Sequence, residues 1–112
     1  MTDQAQRLDR AFQALADPTR RAVLARLAQG PAPVSELARP FRMALPSFVQ
    51  HLDVLERSGM VRSRKVGRVR TVRLAPQPLK DAVRWLEAHR ALWERRLDQL
   101  DAFLVSQKEQ DK

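Results

Sequence analysis

Between residues 79 and 104 the apolar side chains keep a strict helical beat. Leu79, Val83, Leu86, Trp93, Leu97, Leu100 and Leu104, with Arg90 the one polar interruption, are separated alternately by four and three positions. That is the a/d seam of a heptad pattern. Trp85, Leu92 and Phe103 widen the apolar face. A helix over this stretch is about 39 Å long at ~1.5 Å per residue, and a chain of 112 residues has room for only one small core beside it. The excess length points to helix–helix pairing between two copies. On this basis residues 1–76 are expected to form the core, 77–106 a dimerisation helix of the same domain, and 107–112 a frayed polar tail.

The core segment reads as a series of short helices. Leu8, Phe12 and Leu15, with Ala11 alongside, mark one face of a first helix ending near Ala16. Leu8 and Phe12 are expected to face the dimer partner as well. Asp17-Pro18 then signals a second helix, aspartate as N-cap and proline in the first helical position. Its stripe is Val23, Leu24 and Leu27, and Gly30 closes it. Pro31-Ala32-Pro33 reads as a rigid link. A short third helix follows, with Val34, Leu37 and Ala38 inward and Pro40 as its stop.

The fourth helix, about Leu45 to Ser58, has a narrow buried stripe. At ~100° per residue, with Phe48 at zero, Leu52 lies near +40° and Leu55 near −20°. Pro46, Gln50, Asp53 and Arg57 point the opposite way, and Ser47 and Val49 lie on the flanks. After Gly59 the pattern changes to alternating β runs, Met60–Val66 and Val69–Leu74, around a Gly67-Arg68 turn. The resulting architecture is mainly α with a small β-hairpin: a winged helix-turn-helix in the order α-α-α-α-β-β-α, with a long C-terminal helix.

Charge singles out the hairpin. The chain carries 21 basic and 13 acidic residues, a net +8. Arg57, Arg62, Arg64, Lys65, Arg68, Arg70 and Arg73 lie in one window with no acidic residue among them, and so account for seven of those charges. Such a concentration calls for an anionic partner. Nucleic acid fits better than a membrane surface, because the window offers valines rather than the Trp, Phe or Leu that anchor an interfacial helix. On the fourth helix a Gln can read adenine, and an Arg guanine or a phosphate. The fold alone leaves a rival open: a winged-helix module that docks an acidic protein and has no DNA role.

Several classes are disfavoured. Zero cysteines remove disulfides, iron–sulfur clusters, Cys-ligated zinc and thiol nucleophiles. Catalysis would have only Ser47, His51 and Asp53, and Asp53 is turned away from the other two. No enzyme activity and no cofactor is expected. The first ten residues lack the apolar core of an export signal, and no run of about 18 apolar residues could span a bilayer. A cytoplasmic location is the simplest expectation.

Taken in order, A-L-A-D-P-T-R-R-A-V-L-A-R-L (14–27), E-L-A (36–38), M-A-L-P-S-F-V-Q-H-L-D-V-L-E-R-S-G-M-V-R (43–62), G-R-V-R-T-V-R-L (67–74) and P-L-K-D-A-V-R-W-L (78–86) resemble the ArsR-type transcriptional repressors. The resemblance covers nearly the whole chain. It implies a homodimer on an inverted-repeat operator, with helices three and four as the helix-turn-helix and the hairpin as a wing on backbone or minor groove. By position it implies that Ser47, Val49, Gln50 and His51 lie at or beside the major groove, with Arg57 at the end of the same helix. It likewise makes Arg64, Lys65, Arg68 and Arg70 wing contacts to phosphates, and Arg62 of the same basic window is expected to join them. The wheel places His51 at about −60°, nearer the core, so a packed or capping histidine is the alternative to a groove contact.

Metal-sensing members of the family carry a Cys pair in the third helix or carboxylate and histidine ligands on the last. Here the third helix reads Glu36-Leu37-Ala38-Arg39-Pro40-Phe41, and the last has only His89 with Glu87 nearby. One His and one carboxylate do not complete a tetrahedral site, so the non-metal branch is expected. Ala44 and Pro33 stand where side-chain caps would help the fourth and third helices, at a cost of about 1 kcal/mol each.

Overall fold

Asp17 and Pro18 set the first corner of the chain. In the computed structural model, which describes residues 3–110, α1 (Asp3–Leu15) stops two residues before α2 (Pro18–Leu27). The Asp17 carboxylate accepts from the Arg20 amide at 3.0 Å, and Pro18 sits where its missing N–H costs nothing. The chain then runs through β1 (Ala32–Pro33), α3 (Val34–Ala38), α4 (Leu45–Arg57), β2 (Val61–Val66), β3 (Val69–Leu74) and α5 (Gln77–Gln110). Neither Pro33 nor Ala44 provides a side-chain cap, and the amides of Ser47 and Phe48 turn instead to the Ala44 carbonyl.

Two compact units divide at Ala82 and Val83, α5 passing from one into the other. In the first, the core collects Val23, Leu24 and Leu27 of α2, Leu37 of α3, Phe48, Leu52 and Leu55 of α4, and Met60, Val61 and Val72 from the sheet. Phe48, Leu52 and Leu55 are fully buried, as the wheel requires; each contributes about 1.5–3 kcal/mol. Phe41 stacks on Phe48 with ring centroids 5.5 Å apart. α1 differs from expectation in phase. Its buried residues are Ala11 and Ala14, whose small side chains allow close packing, while Leu8 and Phe12 are half-buried on the flank and Leu15 packs at the core margin.

The hairpin gains a third strand. Ala32–Pro33, expected as a link, pairs antiparallel with β3 in the register Ala32↔Val72 and Pro33↔Thr71, so the sheet order is β1-β3-β2. Two prolines around one alanine are tolerated because the strand is short and lies at a sheet edge. β2 and β3 pair from Val61↔Leu74 to Val66↔Val69. The two-residue turn between them has Gly67 at φ +62°, and its first central position takes a positive φ that suits glycine.

α5 is longer than its heptad run. It continues through Gln107–Gln110, where a frayed tail is expected, for 34 residues in all, about 51 Å at 1.5 Å per residue. Its first turns belong to the first unit: Ala82 is buried and Leu79 packs against the core. Leu79, expected at a dimer interface, is thus half-buried against the core of the first unit.

Candidate nucleic-acid interface

On α4 the exposed side chains are Leu45, Pro46, Ser47, Gln50, Asp53 and Arg57, with Val49 half-buried. Gln50 stands opposite the buried stripe, free to offer its amide to a base edge. Arg57 folds back on its own helix, its Nε donating to the Asp53 carbonyl at 3.3 Å. It also borders a concavity of about 280 Å³ with Arg10, Gln13, Val54 and Ser58.

His51 departs from the groove-facing set. Its Nδ1 lies 3.2 Å from Arg20 Nη1 and 3.7 Å from Asp17 Oδ2, so the ring packs on the start of α2. Arg20 is the hub of this corner. Its Nε and Nη2 donate to the Ala14 and Gln13 carbonyls, both at 2.9 Å, and Arg21 Nη1 donates to the Leu15 carbonyl at 2.7 Å. The two arginines satisfy the Ala14 and Leu15 carbonyls at the end of α1 and add a second donor to that of Gln13, which already accepts from the Ala16 amide. At Asp17 burial pushes the carboxyl pKa up, but the Arg20 amide and the nearby His51 and Arg20 outweigh it and hold the pKa below its ordinary value. Asp-Pro-Thr-Arg-Arg thus fixes the corner between α1, α2 and α4. The spacing marked only its Asp-Pro half.

In the hairpin, side chains alternate between faces. Arg62, Arg64 and Arg73 share the face turned from Val61 and Val72, and Arg62 pairs directly with Arg73. Like charges placed opposite each other are unfavourable, a cost that an anion would relieve. Arg68 is exposed at the turn and Lys65 beside it. None of these five cations forms an ion pair among the described residues.

Arg70 does not belong with them. It shares the face of Val72 with its cross-strand partner Lys65, but Lys65 stays exposed while Arg70 Nη2 meets Glu56 Oε2 of α4 at 2.7 Å and Asp53 Oδ1 at 4.0 Å. Its Nε donates to Ser63 Oγ at 3.0 Å, while the Ser63 hydroxyl donates to Glu56 Oε1. Burial would raise the Glu56 pKa, but the Ser63 and Arg70 hydrogen bonds and the Arg70 charge hold it below the ordinary value. Arg70 is a clamp between the hairpin and α4, already neutralised, rather than an open cation. Counting two residues back from buried Val72 would have exposed this. Between wing and helices lies an open cleft of about 770 Å³, lined among others by Leu45 and Val49 of α4, Val69 of β3, and Arg39, Arg68 and Arg70.

In the second unit the heptad residues Val83, Leu86, Trp93, Leu97, Leu100 and Leu104 are all exposed, as are Leu92, Phe103 and Val105. Arg90, the break in the seam, is held by Glu87 at 3.2 Å and Glu94 at 3.1 Å. Trp85, His89 and Trp93 stack along one side, Trp85 and His89 with centroids 4.3 Å apart, and His89 Nδ1 donates to the Trp85 carbonyl at 2.8 Å. Among the described residues no group of three or more His, Cys, Asp and Glu is placed to hold a metal ion. No described helix is long and apolar enough to cross a membrane.

A reading helix clamped to a cationic β-arm over a three-helix core is a winged helix-turn-helix. Residues 15–64 match the helix-turn-helix domain family. The chain is 49% identical over 71 residues to the HTH-type transcriptional regulator Rv2034 of Mycobacterium tuberculosis, spanning 63% of this chain and 66%, just under two thirds, of that protein's length. A crystal structure of an ArsR family transcriptional regulator superposes with TM-score 0.78 at 54% identity, covering 84% of this chain and 97% of that one. A homodimeric winged helix-turn-helix DNA-binding domain from Mycobacterium bovis, a possible ArsR-family regulator, superposes with TM-score 0.61 at 25% identity, covering 88% and 93%. The chain belongs to the ArsR family of transcriptional regulators.

Proposed function

We propose that the chain is a DNA-binding transcriptional regulator that acts as a homodimer on an inverted-repeat operator and represses by occupying promoter DNA. The observation that carries this is the set of unpaired cations on the wing, Arg62, Arg64, Lys65, Arg68 and Arg73, beside a helix whose outer face offers Ser47 and Gln50. Phosphate contacts from the wing supply most of the affinity and α4 supplies base preference. The Arg70–Glu56 clamp supports this division of labour by fixing the spacing of wing and helix before DNA arrives.

Dimerisation draws support from the exposed α5 seam, which is more apolar surface than a monomer ordinarily leaves open, and from the homodimeric M. bovis relative. Val83, Leu86, Trp93, Leu97, Leu100 and Leu104 form the interface, with Leu8 and Phe12 of α1 contributing. Two reading helices related by a two-fold axis then address half-sites about 34 Å apart. The test is selection of bound duplexes from a random library, followed by footprinting and by sedimentation of the free protein. Palindromic, salt-sensitive sites bound by a dimer are the expected result. A monomer at micromolar concentration that enriches no duplex refutes the proposal.

A further inference from the structure

Two exposed apolar side chains of the first unit, one on α4 and one on β3, line a single cleft. Leu45, the first residue of α4, is 56% exposed, and Val69, just past the wing turn, is 53% exposed. Both line the same 770 Å³ cleft as half-buried Val49 and Phe41, and Arg39 and Arg68 lie on its borders. On the helical wheel Leu45 and Val49 fall near +60° and +100° from Phe48, the flank toward the wing, whereas Gln50 and Arg57 lie near the opposite pole. The cleft thus combines apolar side chains with the cations Arg39 and Arg68 and with the clamped Arg70.

More than half of Leu45 is open, and Arg39 and Arg68 line the cleft with it, a setting that suits a polyanion. Duplex DNA presents one prominent apolar group in its major groove, the thymine 5-methyl, between two rows of phosphates. The N-terminal residues of a recognition helix are those that reach base edges, and Leu45 begins α4. Methyl group and phosphates match the apolar and the cationic side chains that line the cleft. We infer that Leu45, with Val49 beside it, is a specificity-determining residue that selects a thymine in each half-site by contact with its 5-methyl group. This rests on the DNA-binding function proposed above.

The test uses duplexes enriched by the full chain from a random library, with each thymine replaced in turn by deoxyuridine, which lacks only the methyl. Affinity is measured by fluorescence anisotropy. At one thymine per half-site the replacement should weaken binding about four-fold, the value for burying a single methyl group. The Leu45→Ala variant should lose that discrimination and bind both duplexes alike. Leu45 is exposed and alanine favours helix, and the deoxyuridine comparison leaves the protein itself unaltered. Three results overturn the inference while leaving DNA binding intact: half-sites without thymine, silence at every replaced thymine, or an undiminished penalty in Leu45→Ala. Failure to enrich any duplex overturns the DNA-binding function itself, and this inference with it.

Discussion

Replacing Arg70 separates a clamp from a phosphate ligand, because the two roles predict opposite signatures. Arg70 and Glu56 are each less than a third exposed, and meet at 2.7 Å with Ser63 completing the group. An exposed ion pair is worth about 0.2–1 kcal/mol, and a hydrogen bond to a charged group about 1.5–3 kcal/mol. A half-buried pair of this geometry falls between, near ~1.5 kcal/mol. Arg70→Ala should therefore lower the melting temperature by about 3–9 °C. The charge removed is already neutralised, so the dependence of log K on log salt should keep its slope. Arg68→Ala should do the reverse, holding the melting temperature and flattening the slope by about 0.9 for each phosphate that the wing no longer neutralises. Glu56→Gln adds a third arm, for it frees Arg70 and should steepen the slope. Its pH dependence has a fixed sign: a carboxyl held below its ordinary 4.5 stabilises the fold above that value and ceases to do so as pH falls through its lower folded pKa. The stability gap between wild type and Glu56→Gln should be present at neutral pH and close under acid. Thermal melts and anisotropy titrations at several salt concentrations read all of this. If Arg70→Ala flattens the slope as much as Arg68→Ala and melts like wild type, the clamp is refuted.

Three further outcomes follow from the corner and the seam. Asp17→Ala should cost about 1 kcal/mol from removal of the N-cap alone, and the difference from wild type should shrink as pH falls below 3.8 and through the lower folded pKa of Asp17; acid-range melts check it. His51→Ala should lower stability by about 0.5–1.5 kcal/mol, the worth of its hydrogen bond with Arg20, and leave base preference as it was, which selection with the variant tests. Leu97→Asp removes about 2 kcal/mol of apolar burial from each subunit and should weaken a dimer roughly a thousand-fold, as sedimentation equilibrium would show.

What the sequence made legible is what depends on one period at a time. The buried stripe of α4 and the seam of α5 follow from helical spacing, and the Gly67 turn follows from the backbone conformation that glycine permits. The features it hid require two elements at once. Ala32 cannot be seen as a strand until Val72 stands opposite it. α1 shows the same limit, since its largest apolar residues mark a face but the closeness of neighbouring helices decides that Ala11 and Ala14 are the ones buried.

Arg70 is the sharpest case, because charge summed along the chain treats every arginine in the hairpin alike. Strand alternation divides them: Arg62, Arg64 and Arg73 face away from the core, and Arg70 faces the helix that carries Glu56. One of the seven charges in the basic window is thereby used to hold the wing in place, and the exposed ones remain for an anion. Leu45 lines one cleft with Arg39, Arg68 and the clamped Arg70. A surface that is both charged and apolar at one spot asks for a ligand with both characters, and duplex DNA has them where a thymine methyl lies between phosphates. Affinity and base choice would then reside in different residues of one surface, separable by substitution.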